Sequence, residues 1–219
     1  MIAVIRDPVD RAHSNCMHLW SDGLEPEADF VTAVEREPRR IRDGYAPFWH
    51  YRGLGRYGEQ LQRLYGLVPR EQVLLVRYRQ LVDEPQQTLD RTSRFLGVGH
   101  GVAETVAPEN VKPFVIDSTR ARALGRAIRV GASVGSLAPP QLWRRVSAPL
   151  VSARYSDGAV RPVLPVTDRR HVLAGLLDDI GLLEDLTGES FADWRSDSGR
   201  GSFHERRARP SEACATSGA

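Results

Sequence analysis

The chain has 219 residues, and its 30 basic and 28 acidic side chains leave a formal net charge of +2. The composition, 41% hydrophobic and 26% charged, excludes global disorder, and the small net charge excludes a protein that binds polyanions through bulk charge. No apolar run reaches the roughly 18 residues of a membrane-spanning helix, and the start MIAVIRDP is too short in apolar residues for a secretory signal, so a cytoplasmic location is predicted.

The first two elements lie at the very start of the sequence. Residues 2–5 form a continuous apolar run with β-branched side chains, which predicts a strand buried on both faces. Asp7 suits the N-cap of a helix and Pro8 suits its first position, where a missing N–H costs nothing. A helix is therefore predicted over residues 8–20.

The middle of the chain continues the alternation of helix and strand. A second helix is predicted over residues 28–41, with Pro38 weakening its end. The aromatic and Gly-rich stretch 45–58 predicts a loop. This loop passes into a helix up to Tyr65, predicted by the helical spacing of Tyr57, Leu61, Leu64 and Tyr65. A strand over 72–77 and a helix over 86–96 that ends at Gly97 follow.

The last part of the chain changes composition. Segment 118–161 contains eight arginines and one acidic residue, and it predicts a helix over 119–129, a proline-containing loop and further helix. A final helix is predicted over 168–187, followed by Trp194, which packs after it. Its apolar side is predicted to comprise Val172, Leu173, Leu176, Leu177, Ile180, Leu183 and Leu186. Residues 196–219 are rich in Ser, Gly, Arg and Ala and are predicted to be a disordered tail.

The order strand, helix, strand, helix predicts an α/β fold with parallel strands. Two strands are few for an open sheet, which usually needs more partners to be stable. The two cysteines, Cys16 and Cys214, lack metal-ligand spacing, so neither a metal site nor a structural disulfide is predicted.

The segment IAVIRDPVDRAHSN, residues 2–15, contains the most informative side chains. Arg6 follows a predicted strand and so lies at its carboxyl end, where open α/β sheets bind ligands. Ser14 lies about two turns into the next helix. A guanidinium fork and a hydroxyl placed in this way can donate hydrogen bonds to one phosphate. Arg11 is predicted to cap or to form an ion pair within the same helix.

The string RDPVDRAHS resembles the 3′-phosphate-binding motif of the sulfotransferases that use 3′-phosphoadenosine 5′-phosphosulfate (PAPS), which is a strand followed by Arg-Asp-Pro and Arg-Ala-x-Ser. VLLVRYRQLVDEP, TLDRTSRFLGV and LLEDLTGESFADW are similar to later segments of the bacterial members. The resemblance implies that Arg6 and Ser14 hold the 3′-phosphate and that Tyr78 lies near the adenine. Arg79 departs from the family, whose members often have an acidic residue after that tyrosine.

The resemblance implies a P-loop-NTPase-like parallel sheet flanked by helices over residues 1–195. It also implies transfer of a sulfuryl group from PAPS to a hydroxyl or amine on a small-molecule, sugar or lipid acceptor. In that family the 5′-phosphosulfate loop, with its lysine, and the catalytic base precede the Arg-Asp-Pro strand. The single lysine here is Lys112. We therefore predict an amino-terminally truncated sulfotransferase domain, and we assign no catalytic residue.

Two other functions compete with this prediction. One is a non-catalytic module that binds adenosine 3′,5′-bisphosphate or a partner protein. The other is a nucleic-acid binder that uses segment 118–161, but that segment interleaves only Trp143 and Tyr155 with its arginines, so no nucleic-acid partner is predicted. An exposed strand edge at residues 2–5 would favour aggregation or pairing with another chain, and the second of these would give a homo-oligomer.

Two placements stay open at this level. The aromatic segment 48–51 either lines an acceptor pocket or caps the core. A basic side chain late in the sequence, Arg120, Arg122 or Arg161, is a candidate to close over the 3′-phosphate, and spacing does not choose among the three.

Overall fold

A computed structural model of the chain describes residues 1–99, 101, 115–135, 149 and 162–197. The strands are β1 (Ile2–Ile5) and β2 (Leu74–Arg77). The helices, in chain order, are α1 (Pro8–Ser21), α2 (Phe30–Glu35), α3 (Glu37–Arg42), α4 (Tyr57–Tyr65), α5 (Tyr78–Asp83), α6 (Pro85–Leu96), α7 (Thr119–Gly135), α8 (Val166–Ala174) and α9 (Leu177–Thr187). Short 3-10 helices cover Pro47–Trp49, Gly53–Gly55, Arg70–Gln72 and Ala192–Arg195.

The described part of the chain is a mostly helical α/β fold with a small parallel sheet. Strands β1 and β2 pair in parallel, with Ile2 opposite Leu74 and Ile5 opposite Arg77, which confirms the predicted parallel arrangement. The prediction that β1 is buried on both faces is wrong, because Ile2 is 36% and Val4 55% exposed. Within the described ranges, the face of β1 that carries Ile2 and Val4 is exposed to solvent. Helices α5 and α6 pack against the other strand, β2.

Helix α1 begins where the sequence predicts. The carboxylate of Asp7 accepts hydrogen bonds from the backbone N–H groups of Val9 (2.9 Å) and Asp10 (3.0 Å), and Pro8 occupies the first turn. Apolar side chains of the helix, among them Val9 and the free Cys16, are fully buried in the core. The cap therefore fixes the direction in which the chain leaves the carboxyl end of β1.

The helix predicted over 28–41 is two helices, α2 and α3, with a break at Arg36. Pro38 is the physical reason, because it has no N–H to donate to a carbonyl one turn earlier and so starts a new helix. Glu37, next to the break, is buried and accepts the backbone N–H groups of Arg52 (2.7 Å) and Gly53 (2.8 Å).

The helix predicted over 168–187 is also two helices, α8 and α9. Gly175 ends α8, and the side chain of Arg52 lies 3.2 Å from where a Cβ on Gly175 would stand. The break turns Leu177 outward, so that it is 41% exposed and not part of the apolar side. Trp194, in contrast, is buried in the core as predicted. The short helix α5, directly after β2, was not predicted.

Helices α4 and α9 pack closely against each other in the core. Asp179 of α9 accepts the backbone N–H groups of Gly58 and Glu59, each at 2.9 Å, and so caps the start of α4. A Cβ on Gly58 would lie 2.4 Å from the carbonyl oxygen of Asp179. The two helices can pack this closely only because residue 58 has no side chain.

Helix α7 confirms the helix predicted over 119–129 and extends it to Gly135. It docks on the turn after α1, where Gly23 has a φ of +78° and its missing Cβ would lie 3.0 Å from the Ile128 side chain. The predicted loop and helix after residue 135, Arg161, Cys214 and the tail from residue 198 onward lie outside the described residues. Among the helices described, none is long and apolar enough to cross a membrane.

Candidate functional site

The structure brings Arg6 and Tyr78 together at the carboxyl end of the sheet. The guanidinium carbon of Arg6 lies 5.3 Å from the centroid of the Tyr78 ring. The register of the two strands explains this placement. Because Ile5 pairs with Arg77, the residues that follow them, Arg6 and Tyr78, lie on the same face of the sheet. Two of the three predicted nucleotide-binding residues are therefore neighbours.

Arg6 is half-buried, and its guanidinium forms no ion pair with any carboxylate that the structure describes. Neighbouring arginines differ in this respect, since Arg77 pairs with Asp193 and Arg169 pairs with Asp7. A planar guanidinium without a counter-charge can donate two parallel hydrogen bonds to an oxyanion. The site at Arg6 is therefore electrostatically suited to a phosphate.

Asp7 points to the opposite face and has a structural role. Besides capping α1, its carboxylate pairs with Arg169 of α8, a buried side chain that also donates to Asp10 (3.0 Å) and to the carbonyl of Trp194 (2.9 Å). Burial acts to lower the pKa of Arg169, but the hydrogen bond and charge of Asp7 outweigh it and raise the pKa above its ordinary value. Asp7 of the Arg-Asp-Pro string therefore serves the fold, whereas a ligand role for Arg6 stays a prediction.

Ser14 lies in the second half of α1 and is half-buried. The rise of an α-helix places it about 9 Å along the axis from Pro8. A phosphate that contacts both Ser14 and Arg6 therefore requires the long Arg6 side chain to extend along α1. The joint grip of the two side chains on one phosphate stays a prediction.

The prediction for Arg11 is wrong, because its guanidinium leaves the helix and donates to the carbonyl of Tyr51. Its Nε atom is buried without a hydrogen-bond partner. Burial lowers the pKa of Arg11, an effect that Tyr57 and Glu37 partly offset. Sequence spacing cannot reveal this contact, because it crosses from the helix to a distant loop.

Tyr57 is the residue that sequence reasoning missed at this site. It was predicted only as an apolar member of α4, but its hydroxyl interacts with the guanidinium of Arg11 and with the backbone of Arg6. Burial raises the pKa of the Tyr57 hydroxyl, so this group keeps its proton at neutral pH. Arg11 and Tyr57 are therefore two further residues next to Arg6.

The aromatic segment 48–51 caps the core through Tyr51 and Trp49. Tyr51 is fully buried and its hydroxyl donates to the carboxylate of Glu25, while Trp49 packs against the core cluster. Phe48 is 65% exposed. Of the two roles left open for this segment, the structure therefore gives these two side chains the structural one.

Two cavities lie elsewhere, and neither is lined by Arg6, Ser14 or Tyr78. One, of about 340 Å³, lies on the Asp7 and Arg77 face of the sheet edge, and its five carboxylates outnumber its two arginines. The other, of about 270 Å³, lies between Trp20 and α7. An acidic lining is unfavourable for a phosphate, so the larger cavity is not the nucleotide site.

Helix α7 packs near the carboxyl end of α1, whereas Arg6 precedes the amino end. The rise of an α-helix puts the two ends of α1 about 20 Å apart. Near the carboxyl end, Arg122 lines the smaller cavity and forms an ion pair with Asp117. Arg122 is therefore engaged at a different place from the candidate phosphate site. In the described part of the chain, no cluster of three or more His, Cys, Asp or Glu side chains has the geometry of a metal site.

Comparison with solved structures gives the class of fold. The chain resembles a crystal structure of a sulfotransferase from Alicyclobacillus acidocaldarius, with 24% sequence identity and a TM-score of 0.57. The likeness covers 89% of this chain and 57% of that protein, so the chain spans little more than half of its length. The α/β fold is therefore similar to that of a sulfotransferase.

Comparison with protein families is more specific. Residues 1–100, which contain Arg6, Ser14 and Tyr78, match the model of the sulfotransferase family. No curated protein matches the sequence. The part of the chain that builds the candidate site is thus the part that is similar to the family.

Proposed function

We propose that the chain is a sulfotransferase domain that binds PAPS, or the product adenosine 3′,5′-bisphosphate, through Arg6 and Ser14. The acceptor would be a hydroxyl or amine on a small molecule, sugar or lipid. One observation carries the proposal. Arg6 stands at the carboxyl end of β1 with no carboxylate partner among the described residues, inside the segment that matches the family.

The residues present fit a 3′-phosphate. A phosphate monoester is doubly charged near neutral pH, and a guanidinium fork offers it two charge-assisted hydrogen bonds. Ser14 adds a hydroxyl donor. The N-terminus of α1 is already capped by Asp7, whose carboxylate would repel a phosphate placed directly on the helix end. The phosphate is therefore expected on the Arg6 face, away from Asp7.

PAPS supplies the sulfuryl group when it is bound, and this chain's residues hold and orient the nucleotide that carries it. Orientation contributes to catalysis because it converts an encounter into a reaction between fixed partners. Transfer also needs a base for the acceptor, and the four described histidines have other contacts. His18 lies 3.3 Å from Asp22 and His171 2.9 Å from Glu35, His50 contacts the carbonyl of Tyr45 at 3.2 Å, and His13 packs against the ring of Phe30. No base is assigned to this chain.

A second candidate function is a non-catalytic module for adenosine 3′,5′-bisphosphate, because the contacts proposed for Arg6 and Ser14 concern the 3′-phosphate alone and require no transferable group. Such a module would bind the nucleotide through the same two residues and would not transfer a sulfuryl group.

Titration calorimetry with adenosine 3′,5′-bisphosphate tests the binding proposal, and a transfer assay with labelled PAPS and a panel of hydroxyl and amine acceptors tests catalysis. Binding with transfer supports the enzyme. Binding without transfer to any acceptor supports the module. Absence of binding at millimolar nucleotide would refute both functions.

A further inference from the structure

We propose that Tyr78 is a positioning residue that holds the Arg6 guanidinium ready for the 3′-phosphate. In this role it sets the preference of the site for 3′-phosphorylated adenine nucleotides over those without that phosphate. The inference rests on the proposed function, and it differs from the expectation that Tyr78 serves chiefly as a surface beside the adenine.

The backbone fixes both partners. Arg6 follows β1 directly, and Tyr78 is the first residue of α5, directly after β2. The side chain of Gln80 accepts the N–H of Arg77 at 3.1 Å, which secures the turn from strand to helix. The ring of Tyr78 therefore has a fixed place one register step beyond the paired strands, on the same face as Arg6.

The stack is the contact that can hold Arg6 before a ligand arrives. The 5.3 Å separation is within the range of a cation–π interaction, and no described carboxylate competes for the guanidinium. A free arginine side chain loses much rotational entropy on binding a ligand, and holding it in advance reduces that loss. The ring faces the guanidinium carbon, so the N–H groups at the periphery of the fork remain available to an oxyanion.

The two roles of Tyr78 predict different losses of affinity. If the ring is a surface for adenine, its removal weakens every adenine nucleotide by the same factor. If the ring positions Arg6, its removal weakens only nucleotides with a 3′-phosphate, because only that phosphate contacts Arg6. The ratio of the two affinities therefore separates the roles.

The experiment compares adenosine 3′,5′-bisphosphate with adenosine 5′-monophosphate by titration calorimetry on the full chain. Tyr78→Leu is expected to lower the affinity ratio about tenfold, whereas Tyr78→Phe, which keeps the ring, is expected to preserve it. In an Arg6→Ala background, Tyr78→Leu should not change the ratio further. Tyr78→Met is a second ring-free variant in case the leucine variant does not fold.

Tyr65→Leu is the matched control, because the chain contains a second arginine–tyrosine stack in which Arg70 lies 4.9 Å from the centroid of the Tyr65 ring. This variant should leave the affinity ratio unchanged. Equal weakening of both nucleotides by Tyr78→Leu or Tyr78→Met would overturn the inference and leave the proposed function standing. A wild-type protein that binds the two nucleotides equally, or binds neither, would instead overturn the proposed function.

Discussion

Arg169 and Asp7 form a buried ion pair between residues 162 positions apart in the sequence, and the pair joins helix α8 to the first turn of α1. Asp7 thereby uses its charge inside the protein, while Arg6, the preceding residue, has no described carboxylate partner. Asp7 therefore secures the strand-to-helix turn, and Arg6 is the adjacent residue that we propose binds the phosphate.

Replacing Arg169 with Met is expected to destabilise the fold by about 3 to 5 kcal/mol, because it leaves the buried carboxylate of Asp7 without its counter-charge. The free energy of unfolding in urea measures the effect. Arg170→Ala is the control, since Arg170 is exposed and its pair with Asp197 lies in solvent, where an ion pair adds little to stability. Equal stability losses in the two variants would contradict a special role for the Asp7 pair.

Replacing Arg6 with Ala is expected to weaken binding of adenosine 3′,5′-bisphosphate by about 2 to 4 kcal/mol, the usual cost of removing a charge-assisted contact. The same change should leave the stability nearly unaffected, because Arg6 forms no ion pair within the described residues. Calorimetry and thermal unfolding measure the two effects. Arg63→Ala, on the exposed side of α4, is the control for loss of one positive charge. If Arg6→Ala binds within threefold of wild type, the phosphate assignment is wrong.

Replacing Gly58 with Ala is expected to destabilise the protein by about 1 to 3 kcal/mol, because the added Cβ would meet the Asp179 backbone at 2.4 Å and force α4 and α9 apart. Gly99→Ala is the control, since nothing lies within 4 Å of a Cβ at that position. Thermal unfolding measures both variants. A Gly58→Ala protein as stable as the Gly99→Ala protein would show that the two helices do not pack so closely.

Stability is expected to fall in alkaline solution because of Tyr51. Burial, followed by the charges of Cys16 and Glu25, raises the pKa of its hydroxyl far above the ordinary value of 10.0. A raised pKa means that the folded state holds the proton more tightly, so this contribution is complete below pH 10 and is lost as the pH rises further. The loss for one group can reach about 1.4 kcal/mol per pH unit.

Urea unfolding between pH 8 and pH 11 measures this dependence. Tyr51→Phe should reduce the alkaline slope, although it should also lower the stability at pH 8, because the carboxylate of Glu25 loses a hydrogen-bond donor. Arg40 also pairs with Glu25 (2.6 Å), and this pair is expected to keep the buried charge compensated in the variant. An unchanged alkaline slope in Tyr51→Phe would show that another group controls this range.

Local chemistry made several features predictable from the sequence. The start of α1 follows from Asp7 and Pro8, whose capping and backbone constraints act within a few residues. The strand 2–5 follows from its apolar run, the parallel pairing from the order strand, helix, strand, helix, and the sulfotransferase resemblance from the RDPVDRAHS string. The sequence was enough for these predictions, because each depends on a local pattern or on the order of the elements.

Packing between distant segments decided the rest. The break at Gly175, the open face of β1 and the contact of Arg11 with Tyr51 depend on which elements pack against each other. The same holds for the placement of Arg6 over Tyr78, which requires two strands in register. Periodicity in a sequence shows that one face of an element is apolar. Burial, ion pairing and stacking between remote segments arise only in the folded chain, where those segments come into contact.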